Sequence, residues 1–383
     1  MNKETDTKVN FLPYMDTAKT MRAEHLLNLV GDRLHTLPLI VLYLTDGCNS
    51  KCVTCDIWRS PRRNMSLELV ETITETCQEL QVKWVLLSGG EAMQHPDWPG
   101  IAQRFREAGI YVMLLTNGLL LRKQAEAVIA SVDEVIVSLD GGTAETYQAI
   151  RGVDGFDLVL EGVRAVRAGG LPVITRTTVQ RGNYHEIPQI ITVAKAAGAT
   201  GVSFLAVDVS NEFAFGPRFT ADTSLPVLSA TNDSVKQHQP PNSTALTPDD
   251  VGELAQVLDA VEVHFAEDFV SGLIAESPTK LRRMIDYFAA LTGQTGFPRP
   301  RCNAPHINVV IEVDGTLRPC YFLPAFGQIH ISQGANGETA SLKTEINNDM
   351  ARALRQAYRT GTRPECERCV CPLYKGPRAL LRM

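Results

Sequence analysis

"LTDGCNSKCVTCDIWR", residues 44–59, sets Cys48, Cys52 and Cys55 directly behind the apolar run "LIVLYLT" at 39–45. A structural zinc site takes four ligands, usually as paired CxxC groups, whereas CxxxCxxC presents three thiols just after a strand. Disulfide pairing fits no better. The chain has nine cysteines, an odd number, and its first residues, "MNKETDTKVNFLPYMDTAKT", lack the apolar run of a signal peptide, so the expected compartment is the reducing cytoplasm. Three thiolates hold three irons of a [4Fe-4S] cube and leave the fourth iron open to a substrate-like molecule, a consequence of the ligand count.

From residue 39 onward, short apolar runs alternate with longer amphipathic ones. Predicted strands cover 39–45, 83–89, 110–116, 134–140, 171–179 and 201–209, with helix-like stretches between them. One of these, 66–80, opens on Ser66, whose S-x-x-[DE]-like cap pattern is imperfect because Leu69 stands where the acid belongs. Near-continuous apolar strands separated by helices imply a parallel sheet covered on both faces. Six such units give an α/β fold, an open, partial (β/α)6 TIM-like barrel over residues 38–210, preceded by an N-terminal helical extension at 1–37. The polar, Pro/Ser/Asn-rich residues 210–248 read as a long loop, and two helices follow near 248–266 and 279–293, making 211–294 a connecting segment. "INVVIEVDGTLRPCYF" contains an Asp314-Gly315 hairpin signal, and a small C-terminal α+β domain is expected over 295–383. The 383 residues carry a net charge of −6 with no Lys/Arg block, which argues against a nucleic-acid partner. No run of about 18 apolar residues marks a membrane span.

"CNSKCVTC" resembles the signature of radical S-adenosylmethionine (radical SAM) enzymes. The resemblance implies that the open iron of a [4Fe-4S] cluster chelates the amino and carboxylate groups of SAM, and that an electron from the cluster cleaves SAM to a 5'-deoxyadenosyl radical. Further segments resemble the family in order along the barrel. "SGGEA" after the second strand, with Gly89, Gly90 and Glu91, matches its GGE motif, which the resemblance places at the SAM ammonium. "TNG" (Thr116, Asn117, Gly118) ends the third strand, and "SLDG" and "IRG" supply Ser138, Asp140 and Arg151. In the family the Ser and Arg positions touch the ribose or carboxylate of SAM, and a guanidinium fork on a carboxylate is sound chemistry. The chain departs from the family at Thr54, where an aromatic residue commonly packs on adenine; Ile57, Trp58 or the sixth strand near 205–207 are the alternatives.

Of the remaining cysteines, Cys77 falls on the apolar side of a predicted helix and reads as core. Cys302 and Cys320 bracket Gly315 as C-x12-G-x4-C, and "CERC" follows at Cys366 and Cys369. This resembles the twitch domain, the half-length form of the SPASM domain, and so implies an auxiliary [4Fe-4S] cluster with four cysteine ligands. Cys371 is an alternative to Cys369 as the fourth, and a zinc ribbon stays open because four thiolates suit zinc as well. A fully ligated cluster has no iron open to substrate and is left to relay or accept electrons. That favours dehydrogenation of a small organic molecule, with an electron donor such as flavodoxin or ferredoxin as the implied partner. No catalytic acid or base stands out; Arg176, Asn183, Tyr184, His185, Asp208, Asn211, Tyr321 and Phe322 are the candidates for a substrate pocket. Maturation of a ribosomally made peptide is the second reading. A non-catalytic iron-sulfur or zinc-binding scaffold is the third, and the GGE and IRG segments argue against it because a scaffold needs no SAM site.

Overall fold

Leu39–Thr45 (β1), Trp84–Gly89 (β2), Tyr111–Thr116 (β3), Glu134–Ser138 (β4), Val173–Val179 (β5) and Gly201–Ala206 (β6) run parallel and pair in sequence order. The computed structural model describes residues 24–209, 244–298, 302–331, 341–362 and 364–370; most of the expected 210–248 loop, with Asn211, and also Cys371 lie outside them. Glu24–Val30 (α1) precedes the sheet, and Leu67–Cys77 (α2), Trp98–Glu107 (α3), Ala125–Ser131 (α4), Ala144–Arg151 (α5), Phe156–Ala168 (α6) and Ile187–Ala196 (α7) fill the crossovers. The fold is a partial (β/α)6 barrel.

The strands are largely apolar because both faces are covered, β5 with its Thr and Arg residues being the most polar, and their two-residue period sorts the side chains. Ile40, Leu42 and Leu44 join the large core under the helices, while Val41 and Tyr43 face a smaller apolar cluster with Leu86, Ile136, Val310 and Val313. At α2 the Ser66 side chain accepts a hydrogen bond from Leu69 N at 3.2 Å, so the cap forms without an acid at the third helical position. Cys77 is fully buried at the end of the same helix, its thiol bonded to Ile73 O.

Where two helices were expected after the loop, three are present: Pro248–His264 (α8), Ala266–Ser271 (α9) and Pro278–Leu291 (α10). Between α9 and α10 the chain runs alongside β6, with Val202 N bonded to Leu273 O and Ala275 N to Val202 O at 2.7 and 2.9 Å. This covers the strand edge that an open barrel leaves unpaired. Farther on come Ala304–Ile307 (α11), Asn308–Ile311 (β7), Thr316–Arg318 (β8), Gly327–Gln328 (β9), Leu342–Glu345 (α12), Asp349–Thr360 (α13) and Pro364–Glu367 (α14). The Asp314-Gly315 hairpin does not form a sheet of its own. β7 adds parallel to β1 over four residue pairs from Leu39↔Asn308 to Leu42↔Ile311, and β8 and β9 continue antiparallel, giving the order β6-β5-β4-β3-β2-β1-β7-β8-β9. No helix among the described residues is long and apolar enough to cross a membrane.

Candidate active site

The C-terminal ends of the parallel strands, where barrel enzymes gather their chemistry, meet over the three-cysteine loop. Cys48, Cys52 and Cys55 are all half-buried. The loop is clamped from two sides. From β1, Asp46 is buried and its Oδ2 accepts from Arg63 Nε at 2.7 Å, while Arg63 also reaches Asp314 of the C-terminal hairpin at 3.3 Å. From α5, Arg151 O accepts from Lys51 N at 3.0 Å and Ser50 Oγ at 2.9 Å, and Ile150 O accepts from Val53 N at 3.0 Å. Within the loop, Ser50 N donates to Cys48 Sγ at 3.4 Å and Cys55 N to Cys52 O at 3.3 Å. Burial pushes the Cys48 thiol up to about 11 against the Ser50 amide, and the Glu91 carboxylate and the other two cysteines add to the rise.

Gly89 and Gly90 are required by close backbone approach. Gly89 has φ +120°, and Gly90 N donates to Thr45 O at 2.7 Å while Glu91 N donates to Gly47 O at 2.8 Å. A Cβ on Gly90 would stand 2.3 Å from Gly47 O. The double glycine therefore fastens the end of β2 to the entrance of the cysteine loop, and Gly90→Ala forces the two apart. We expect Gly90→Ala to lower stability by about 1–3 kcal/mol through overpacking and to weaken retention of metal on the loop. Thermal unfolding and iron content beside Gly100→Ala, where a Cβ meets nothing within 4 Å, check this; equal behaviour of the two variants refutes it.

The other motif residues converge on the same place. Glu91 is 1% exposed, and its carboxylate accepts from Asn117 N at 2.7 Å, Thr116 Oγ1 at 2.8 Å and Met93 N at 3.1 Å. Burial raises its pKa and these three donors oppose the rise. Its geometry is that of a tie between the ends of β2 and β3. Asn117 Nδ2 lies 2.7 Å from Asn49 Oδ1 and 3.8 Å from Cys48 Sγ, beside the first thiol. Ser138 ends β4, in register with Arg176 of β5. Arg151 NH1 donates to Asp140 Oδ2 at 2.9 Å, and Asp140 Oδ1 accepts from Thr178 N. Burial works against the Arg151 charge, but Cys52 and Asp140 outweigh it and hold the guanidinium above its ordinary range.

A three-thiol donor set suits iron in a cluster, and Arg151 Nε and Trp58 Nε1 are buried beside the loop without a hydrogen-bond partner. Buried donors left unmade are costly, and a carboxylate or ribose there would satisfy them. The residues fit the group the sequence implies. Sequence reading missed Arg63, whose two carboxylate partners tie loop to hairpin; no motif marks it.

Three cysteines of the second group, Cys302, Cys366 and Cys369, lie near Tyr358 of α13. Tyr358 OH donates to Cys302 O, and its pKa is raised by burial and by the nearby Cys302, Cys366 and Cys369. Cys369 N donates to Cys366 O at 3.3 Å, the same turn as at Cys52 and Cys55. Cys320 lies two residues beyond β8 and, like the other three, is half-buried. Among the described residues no three Cys, His, Asp or Glu side chains stand as the ligands of one metal ion. Of the pocket candidates, Asn183 is spent on Asp140 O and Thr178 O, Tyr184 binds Glu253, His185 is exposed, and Tyr321 packs on Tyr43 with ring centroids 6.1 Å apart.

Fold and site together define a barrel enzyme built to work at the C-terminal ends of its strands, with a thiol-rich loop behind β1. Residues 42–194 match the Radical SAM superfamily. It is 34% identical over 167 residues to the AdoMet-dependent heme synthase of Methanosarcina barkeri, covering 42% of this chain and 48% of that protein. It is 30% identical over 163 residues to the mycofactocin maturase MftC of Mycobacterium tuberculosis, covering 41% of each. The chain spans about half the length of the curated relatives it matches. Among solved structures, Streptococcus suis SuiB bound to S-adenosylmethionine superposes with a TM-score of 0.59 at 14% identity, covering 92% of this chain and 76% of that one. That likeness is one of fold.

Proposed function

We propose that this chain reductively cleaves SAM at a [4Fe-4S] cluster held by Cys48, Cys52 and Cys55 and abstracts hydrogen from a small organic substrate in an oxidation. What carries the reading is the convergence of Asn117, Glu91 and Arg151 on the cysteine loop, Asn117 beside Cys48 and the other two held by buried partners. When bound, the cluster and SAM supply a 5'-deoxyadenosyl radical, and an auxiliary [4Fe-4S] cluster on Cys302, Cys320, Cys366 and Cys369 or Cys371 supplies an electron acceptor. The protein's part is positioning. Gly89, Gly90 and Glu91 fix the loop against β2 and β3, Arg151 offers its unpartnered Nε to a carboxylate, and Ser138 offers a hydroxyl at the end of β4. Residues 295–383 form the auxiliary unit, and a flavodoxin or ferredoxin serves as donor.

The likeness of fold to Streptococcus suis SuiB, which binds the precursor peptide SuiA, supports peptide modification as a second reading, and co-purification of a short precursor peptide would select it. The test of the first is direct. Anaerobically reconstituted protein should hold about eight iron atoms per chain and form 5'-deoxyadenosine with reductant and SAM. Four iron atoms with one zinc would remove the auxiliary cluster, and no 5'-deoxyadenosine would remove the whole proposal.

A further inference from the structure

On the β6 side of the barrel a cavity of about 110 Å³ opens between β5, β6, α10 and the segment bearing Cys369. Arg176 enters it from β5, where it is in register with Ser138 of β4 on one side and Ser203 of β6 on the other. Lys280 and Arg283 enter from α10, one helical turn apart, and Glu276 stands just before that helix.

The charges do not balance. Glu276 is 6% exposed and its carboxylate is committed, accepting from Ser203 Oγ at 2.9 Å and Phe204 N at 3.0 Å and pairing with Lys280 Nζ at 3.6 Å. Arg176 and Arg283 take part in no ion pair among the described residues, and Arg176 Nε is buried without a hydrogen-bond partner. Glu134, lower on β4, feels the Arg176 charge, yet burial pushes its carboxyl up to about 7, so near neutrality it offsets that charge only in part. Leu205 and Met284 line the same space, and apolar walls strengthen any charge-assisted bond made inside.

We infer that this cavity binds an oxyanion, a carboxylate or phosphate group of the substrate, through the Arg176 and Arg283 guanidinium groups. Planar forks match either group with two parallel hydrogen bonds, and Arg176 gains the partner its Nε lacks. A substrate so anchored lies between Ser138, at the SAM end of the barrel, and Cys369, at the auxiliary end. That the anion belongs to the substrate rests on the radical SAM reading; that the cavity binds an anion does not.

The experiment is calorimetric titration of the full reconstituted chain, without SAM, with inorganic phosphate in one arm and succinate in the other. Saturable binding that weakens with salt is expected for one or both, and the tighter probe tells phosphoester from carboxylate. Arg176→Gln and Arg283→Gln should each weaken it by about 10- to 100-fold, the usual reach of one charge-assisted contact, and Arg283→Lys should recover part of the loss. Arg104→Gln, which removes a surface pair with Glu71, should bind as wild type. Circular dichroism verifies folding, and half-exposed Arg283 keeps the test alive if Arg176→Gln fails to fold. Absence of saturable binding with both probes up to about 20 mM (roughly the millimolar limit of useful affinity), or undiminished binding by Arg283→Gln, overturns the proposal. Wild-type 5'-deoxyadenosine formation, measured separately, reports on the parent reading.

Discussion

Replacing Cys48, Cys52 and Cys55 together by Ala should reduce reductive SAM cleavage by at least about 10³-fold, roughly 4 kcal/mol or more on the barrier, and lower bound iron from about eight to about four. The loop that carries these residues is held by contacts that do not involve the thiols. Asp46–Arg63 secures its entrance, Ser50, Lys51 and Val53 bond to the end of α5, and Gly90 and Glu91 bond to Thr45 and Gly47. Removing three sulfur atoms leaves all of that in place, so loss of activity in a variant with an unchanged melting temperature isolates ligation from folding. Measuring 5'-deoxyadenosine by mass spectrometry and iron by colorimetry decides it. Retained cleavage at even a tenth of the wild-type rate would remove the loop from the mechanism.

The parallel barrel was legible because its strands are apolar on both faces and its helices amphipathic, signals that local sequence carries. The six predicted strands match β1 to β6 to within about three residues at either end, and the cysteine loop and the glycine pair lie at the strand ends where they were expected; "IRG" closes α5. What the sequence could not convey is pairing at long range. Nothing in "INVVIEV" says that it lies parallel to β1, 269 residues earlier at Leu39↔Asn308; the same apolar pattern suits an independent hairpin. Glu91 shows the other limit. As a letter in a motif it reads as a contact to SAM; that its oxygens also accept from Asn117, Thr116 and Met93 is invisible until three chain segments meet. Arg176 was visible only as one candidate among eight; the burial of its Nε and the committed state of Glu276 single it out.

Replacing Cys302 and Cys320 by Ala should remove the auxiliary cluster while SAM cleavage without substrate persists within about tenfold of wild type, and product formation should fall by about 100-fold, near 2.7 kcal/mol. The expectation depends on the hairpin staying where it is. Metal binding and folding are often coupled in small cysteine-rich units, and an isolated hairpin without its cluster would unfold. Here β7 is instead bonded along β1, fully buried, with Val310 and Val313 in the inner apolar cluster and Asp314 tied to Arg63 of the cysteine loop. Those contacts belong to the barrel and survive loss of the second cluster; Ala304 N loses its Cys302 Sγ acceptor, while Tyr358 OH keeps the main-chain Cys302 O. The same sheet that holds the hairpin also gives disturbance there a route to the first cluster, which is why uncoupled SAM cleavage must be read beside product. Circular dichroism and limited proteolysis establish that the double variant is folded. If it is folded and makes product at the wild-type rate, the second cysteine group is structural, electrons from the product radical leave by another path, and the preference for dehydrogenation loses its support.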